Sequence, residues 1–201
     1  MTYLLFTDPL AANLYVIGIM FFGIAAYVFY GFFMKKENAQ VDQGFAYFLL
    51  GTGFYALLYG LVYSILWPAP MGGAYNILFG DPLALFGLVS IFAGYTILKK
   101  SSLAFVGVFA FFAGLYAILS GVGGYNLHMT HSPIAMLLLY LAAGIGGILT
   151  VPIAVFRNTL SANKWIAILL IIAFLGAAIL SFYIGSSAIS EHMAGFAHSF
   201  G

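Results

Sequence analysis

The chain has 201 residues, of which 64% are hydrophobic and only 5% are charged. Soluble domains carry about 25% charged residues, so this composition excludes a soluble globular protein, a nucleic-acid-binding protein and a disordered chain. Cysteine is absent, which excludes disulfides, thiolate catalysis and iron–sulfur ligation by this chain. We therefore expect an integral membrane protein that contacts lipid and binds no nucleic acid.

Six long apolar runs predict six membrane-spanning helices. A helix needs about 20 apolar residues to cross a bilayer, whereas the strands of a membrane barrel alternate apolar and polar residues over about 10 positions. The runs in this chain are continuous, which favours helices. We expect one all-α membrane domain over residues 1–201, with spans at 9–34, 45–67, 82–98, 103–122, 133–156 and 165–184.

The basic residues predict the orientation of these spans. All six lie in the connections between spans one and two, three and four, and five and six: Lys35, Lys36, Lys99, Lys100, Arg157 and Lys164. Cytoplasmic loops carry an excess of Lys and Arg, so these connections are expected to face inward. The chain is then three parallel helical hairpins in the cytoplasmic membrane of the cell, with both termini outside.

A short motif recurs where odd-numbered spans begin. The sequence FTDPLA at 6–11 returns as FGDPLA at 79–84, and THSPIA at 130–135 is a weaker echo. An Asp or Ser directly before a proline is typical of a helix N-cap followed by the first helical position. We predict Asp8, Asp81 and Ser132 as N-caps, with a role of Asp8 or Asp81 toward a ligand or proton as the alternative.

The repeated FxDPLA starts, and above all the segment NILFGDP at 76–82, resemble a family of archaeal multi-pass membrane proteins of unknown function. The resemblance covers most of the chain. It implies an archaeal cytoplasmic membrane, and it implies no activity and no catalytic residues.

The segment that follows the sixth span is predicted to form a short interfacial helix. Ile189, Met193, Phe196 and Phe200 recur at helical spacing within residues 186–201. Such a pattern is typical of an amphipathic helix that lies on the membrane surface or against a partner.

All four histidines lie on the predicted outer side, together with Glu191: they are His128, His131, His192 and His198. Imidazole with carboxylate suits zinc or iron, and imidazole with the thioether of methionine suits copper. Two histidines from different elements could also ligate haem. These five side chains are therefore a candidate site for a transition metal or haem, although polar residues are also tolerated at the water interface without any such role.

Three tyrosines, Tyr63, Tyr75 and Tyr125, lie at a depth that suits a quinone or proton-transfer site near the outer interface. Histidine titrates near neutral pH and could exchange protons with a quinol there. The alternative is the ordinary enrichment of aromatic residues at membrane interfaces.

The predicted spans hold no ionisable residue near their middle, which argues against a proton pump or a transporter of charged substrates. A small, nearly uncharged bundle fits an accessory subunit of a larger complex with other membrane subunits, and we expect a respiratory or other redox complex. A self-contained membrane metalloenzyme that uses His128, His131, His192 and Glu191 is one alternative. A channel or carrier for a small neutral solute is another.

Overall fold

Six long helices make up the protein in a computed structural model, which describes residues 10–34, 38–66, 74–155 and 162–200. All six are long and apolar enough to cross a membrane, and the described residues contain no strand. The prediction of an all-α, six-span membrane protein is confirmed. The helices are α1 (Leu10–Phe29, continued by a π-helical turn at Tyr30–Met34), α2 (Ala39–Leu66), α3 (Asp81–Leu98, preceded by a π-helical turn at Asn76–Gly80), α4 (Ala104–Asn126), α5 (Pro133–Val155) and α6 (Ala162–Phe200).

The helices alternate in direction and close into a ring. Each helix contacts the next one along the chain, and α6 returns to contact α1. The contacts are antiparallel: near the middle of the ring, for example, Gly18 of α1 lies against Phe182 of α6. We call the end where α1, α3 and α5 begin the upper end, and the opposite end the lower end. The sequence predicts that the upper end faces outward.

Three helix pairs in this ring have the most extensive contacts, and the contact between α5 and α6 follows them. These tight pairs are α2–α3, α4–α5 and α1–α6, whereas the contacts of α1 with α2 and of α3 with α4 are sparse. We call the two sparse contacts the joints. The tight pairs are offset by one helix from the predicted hairpins, which joined spans one and two, three and four, and five and six.

Small residues at seven-residue spacing explain the close approach within two of the tight pairs. A repeat of seven keeps residues along one seam of a helix, and small residues there let two backbones meet. A Cβ atom on Gly60 would overlap the backbone of Ala84, and one on Gly87 would overlap the backbone of Leu57. The seams are Ala46, Gly53 and Gly60 on α2, Gly80, Gly87 and Gly94 along α3 and its preceding turn, and Gly107, Gly114 and Gly121 on α4.

The third span begins earlier than its sequence predicts. Helical structure starts at Asn76, six residues before the predicted start at Pro82. Proline inside a helix normally breaks it, because the ring displaces the carbonyl four residues earlier and offers it no N–H. Here a π-helical turn directly before α3 lets the helical structure include the proline. The Asn76 side chain connects this turn to α2 by donating to the Ser64 carbonyl at 3.2 Å.

This extended start corrects the prediction that Asp81 is an N-cap. Gly80 occupies the N-cap position of α3, and no side chain caps the helix there. Asp81 is already helical and lies five residues inside the span that begins at Asn76. The FGDPLA motif therefore marks an irregular turn within a helix and not its first residue.

The last span is also longer than predicted, because α6 runs without a break for 39 residues from Ala162 to Phe200. The sequence predicts a separate interfacial helix after Ile184. The helix continues through Gly185, which packs against Tyr15 of α1, and the hydroxyl of Ser190 donates to the carbonyl of Ser186 one turn earlier. At 1.5 Å per residue the helix is about 58 Å long, so it extends well beyond a bilayer core of about 30 Å.

Candidate functional site

A cavity of about 1630 Å³ lies inside the ring and is lined by residues of all six helices. Along α1 and its π-helical turn the lining residues run from Leu10 to Phe33. At 1.5 Å per residue this distance is about 35 Å, which is close to the thickness of the bilayer core, about 30 Å. The cavity therefore reaches from the upper end of the bundle to the lower end.

The middle of the cavity is apolar and aromatic. Phe21, halfway along α1, packs against Phe86 of α3 at a ring-centroid distance of 4.7 Å and against Phe174 of α6 at 5.4 Å. Two hydroxyls that also line the cavity, those of Ser90 and Thr150, donate to carbonyls one turn earlier in their own helices. Such bonds within a helix satisfy the hydroxyls, so this region favours an apolar occupant.

Polar side chains from three parts of the chain border the upper end of the cavity. His128, Thr130 and His131 lie between α4 and α5, Tyr75 precedes α3, and Glu191 belongs to α6. Both histidines are exposed. These residues surround the upper end of the cavity. A polar group of a bound molecule could form hydrogen bonds there with water or with the protein.

His128 has a left-handed backbone conformation, with φ of 50°. It follows the C-cap of α4 and completes a Schellman motif, in which the N–H of Met129 bonds the Gly124 carbonyl and the N–H of His128 bonds the Tyr125 carbonyl. Glycine usually occupies this position because a Cβ atom is unfavourable there. The ring of His128 stands edge-on to that of Tyr125, with 6.4 Å between centroids.

The lower end of the cavity carries one acid and one base among the described residues, Asp42 and Lys164. The Tyr27 hydroxyl donates to the Asp42 carboxylate at 2.8 Å, and the Tyr27 ring stacks on Phe45 at 3.9 Å. This hydrogen bond joins α1 to α2 across one of the two joints.

A second tyrosine–aspartate hydrogen bond crosses the other joint, within the membrane-spanning region. The Tyr116 hydroxyl of α4 donates to the Asp81 carboxylate at 2.6 Å. Asp81 is half-buried and lies inside a span, where an ionisable residue normally has a functional or pairing partner. The sequence places no ionisable residue inside a span, because it begins the third helix at Pro82.

Tyr140 supports the irregular turn that precedes Asp81. Its buried hydroxyl donates to the Leu78 carbonyl. In a regular α-helix that carbonyl would accept from residue 82, which is Pro82 and has no N–H. A neighbouring helix thus satisfies the group that the proline leaves unbonded, as membrane helices require.

The predicted metal or haem residues are only partly described. His128, His131 and Glu191 border the upper end of the cavity, whereas the side chains of His192 and His198 lie outside the described part of the structure. Within the residues that are described, no three His, Asp or Glu side chains are grouped closely enough to hold a metal ion. The metal and haem site therefore remains a prediction.

The three predicted quinone-site tyrosines do not share one surface. Tyr75 lines the cavity, while Tyr63 is buried and Tyr125 is half-buried without lining it. Of the predicted N-caps, Asp8 lies outside the described residues. Ser132 directly precedes α5, and its carbonyl accepts the N–H of Met136 at 3.1 Å.

Asn13 is a polar cavity residue that the sequence does not single out as functional. It lines the cavity near the upper end of α1 and is 1% exposed. Neither its amide nitrogen nor its amide oxygen has a hydrogen-bond partner among the described residues. The available signal was a carboxamide in an otherwise apolar run, which is uncommon in a membrane span.

One family model matches the chain over residues 1–195, and its description is "Protein of unknown function (DUF981)". No curated protein matches the chain, and no solved structure does.

Proposed function

We propose, for a chain that belongs to the DUF981 family of proteins of unknown function, that it binds an uncharged, largely apolar molecule inside the ring of six helices. The observation that carries the proposal is the cavity, which is lined by all six helices and reaches from one end of the bundle to the other. An α-helical membrane domain without a binding role has no need of such a space, since interiors are normally close-packed.

The lining residues support an uncharged occupant. Described charged side chains border the cavity only near its ends, with Glu191 above and Asp42 and Lys164 below. Transfer of an unpaired charge into the apolar middle would be very unfavourable. A channel for ions is disfavoured for the same reason, and the carrier of a neutral solute is favoured among the alternatives that the sequence leaves open.

The size of the cavity supports a long-chain occupant. Sites for drug-sized molecules have volumes of about 300–1,000 Å³, and this cavity has about 1630 Å³. Its length matches the bilayer core, so a molecule resembling a membrane lipid could lie along the ring axis. Its chain would contact the rings of Phe21, Phe86 and Phe174.

The test uses a 1-hexadecanol that carries a photoreactive diazirine on its chain, added to the purified full chain in lipid nanodiscs. We expect crosslinks at cavity-lining residues such as Phe86 and Ala117, and unlabelled hexadecanol should suppress them. Lipid-facing residues such as Leu119 and Ile172, which are 71% and 61% exposed, should also crosslink, but without suppression, because contact with bulk lipid does not saturate.

A matched pair of substitutions separates cavity binding from surface contact. Ala143→Phe adds a ring to the cavity wall, and it should abolish the suppressible crosslinks while leaving those of the lipid face. Ala26→Phe adds the same ring at an exposed position of α1 outside the cavity lining and should change neither. Crosslinks confined to lipid-facing residues in the unsubstituted chain would refute the proposal.

The respiratory or redox subunit predicted from the sequence is a separate hypothesis about the same protein. It calls for stoichiometric partner chains and a bound metal, haem or quinone. Gentle purification followed by mass spectrometry and metal analysis tests it directly. A chain that purifies alone without any of these groups would contradict that hypothesis, and also the metalloenzyme, while leaving cavity binding intact.

A further inference from the structure

The upper end of the cavity contains an amide with no protein partner. Asn13 is 1% exposed and lines the cavity three residues into α1, and both polar atoms of its carboxamide are unbonded among the described residues. Nearly all buried polar groups in native proteins are hydrogen-bonded, because an unpaired one loses its water without compensation. An unbonded amide that faces a cavity therefore points to a ligand.

The surroundings of Asn13 do not give the amide a structural role. Two residues along α1, the hydroxyls of Tyr15 and Ser186 lie 2.7 Å apart and connect α1 to α6. The α1–α6 pair thus already has a polar link at this level. A leucine of similar size at position 13 would pack against the same neighbours without an unpaired group.

Thr130 provides a second unbonded polar group at the same end of the cavity. Its hydroxyl oxygen is buried and has no hydrogen-bond partner among the described residues, and Thr130 lines the cavity from the connection between α4 and α5. Asn13 and Thr130 belong to different tight pairs. Together they offer hydrogen-bond donors and acceptors on two sides of the upper cavity.

We propose that Asn13 and Thr130 bind the polar head of the cavity occupant, and that this head is an uncharged group that both donates and accepts hydrogen bonds, as a primary alcohol does. The proposal rests on the proposed function. An anionic head is disfavoured because Glu191 borders the upper cavity, and no described Lys or Arg does so. A hydroxyl can donate to the Asn13 Oδ1 atom and accept from Nδ2 at the same time.

The experiment measures how strongly unlabelled 1-hexadecanol and unlabelled hexadecane suppress the cavity crosslinks of the photoreactive hexadecanol, at equal mole fractions in the nanodisc lipid. With the unsubstituted chain we expect the alcohol to be about tenfold more effective, which corresponds to about 1.4 kcal/mol. Asn13→Leu should reduce this ratio to near one. Thr130→Val should reduce it by a smaller factor, because a hydroxyl has fewer hydrogen-bonding groups than an amide.

Ser181→Ala is the matched control. Ser181 is 0% exposed and its hydroxyl is also unbonded among the described residues, but it does not line the cavity. This variant should keep the tenfold ratio. An Asn13→Leu variant that also keeps the ratio would overturn the head-group site while the suppressible crosslinks continue to support the proposed function. Absence of suppression by both compounds in the unsubstituted chain would overturn the proposed function itself.

Thermal unfolding without added alcohol shows whether Asn13→Leu acts through the stability of the fold and not through binding. Removal of an unpaired buried amide should leave the Tm of Asn13→Leu unchanged or raised, although the variant no longer prefers the alcohol. A marked fall in Tm would show that the amide stabilises the fold and would contradict the proposal.

Discussion

The tight pairs and the joints of the ring are built from different residues. In the tight pairs α2–α3 and α4–α5, glycines such as Gly60 and Gly114 bring two backbones into contact along much of the membrane thickness. In the joints α1–α2 and α3–α4, contacts are sparse, and each joint has one tyrosine–aspartate hydrogen bond, Tyr27 with Asp42 and Tyr116 with Asp81.

This difference indicates where the ring can change its width. A glycine seam cannot slide or separate without either backbone overlap or the loss of an entire packed surface. A joint loses little apolar contact when it opens, and its hydrogen bond is a local connection. Any widening of the cavity to admit an occupant should therefore occur at the joints, while the tight pairs move as rigid bodies.

The largest loss of unfolding free energy is expected when a glycine of a seam is replaced by a larger residue. Gly60→Ala places a methyl group against the Ala84 backbone, which cannot move aside as a flexible side chain can. We expect a loss of unfolding free energy of about 3 kcal/mol or more, measured by unfolding in detergent micelles.

Gly51→Ala is the control in the same helix, since no atom outside the helix lies within 4 Å of a Cβ at that position. It should raise the unfolding free energy by about 0.5–1 kcal/mol, because alanine is the better helix former. Equal effects of the two substitutions would contradict backbone contact between α2 and α3.

A smaller loss of unfolding free energy is expected when the joint between α3 and α4 loses its hydrogen bond. Tyr116→Phe removes the hydroxyl that donates to Asp81 inside the membrane-spanning region. A bond to a charged group contributes about 1.5–3 kcal/mol, and we expect a loss of about 2 kcal/mol in the same unfolding assay. Asp81→Asn retains an oxygen acceptor and should cost less, so a larger loss from Asp81→Asn would argue for another partner of the carboxylate.

The joint between α1 and α2 should lose less unfolding free energy when its hydrogen bond is removed. Tyr27→Phe removes the donor to Asp42, but Asp42 lies in the first turn of α2, near the end of a span where water can replace the lost bond. We expect a loss of about 0.5–1 kcal/mol. If Tyr27→Phe proved more destabilising than Tyr116→Phe, the Asp81 side chain would have to be as well hydrated as that of Asp42.

Hydropathy predicts the number and positions of the spans because lipid contact requires long apolar helices whatever their packing. It does not predict the start of α3, since proline is typical of the first helical position. Here Pro82 lies inside the span, and the Leu78 carbonyl accepts the Tyr140 hydroxyl of another helix. It also does not predict the continuity of α6. Both features depend on contacts between helices, and the hydropathy pattern of one helix gives no information about those contacts.

The candidate site can be predicted from the sequence less well than the fold. The seven-residue glycine spacing on α3 and α4 is visible in the sequence, but spacing does not identify the partner helix, so neither the ring nor its cavity follows from it. Asn13 was visible as a carboxamide in an apolar run. Its importance depends on the absence of a described hydrogen-bond partner, which only a three-dimensional arrangement reveals.

A change of the same size as that of Tyr27→Phe, but of opposite sign, is expected at two connections, one in a joint and one in a tight pair. Lys100 lies between α3 and α4 and His128 between α4 and α5, and their φ values of 51° and 50° are unfavourable for residues with a Cβ atom. Lys100→Gly and His128→Gly should each raise the unfolding free energy by about 0.5–1 kcal/mol. The neighbours Lys99 and Leu127 have φ of −81° and −93°, so Lys99→Gly and Leu127→Gly should instead lower it. Because backbone strain is local, the two gains should be equal; a gain only at Lys100 would show that the His128 side chain has stabilising contacts that offset its strained backbone.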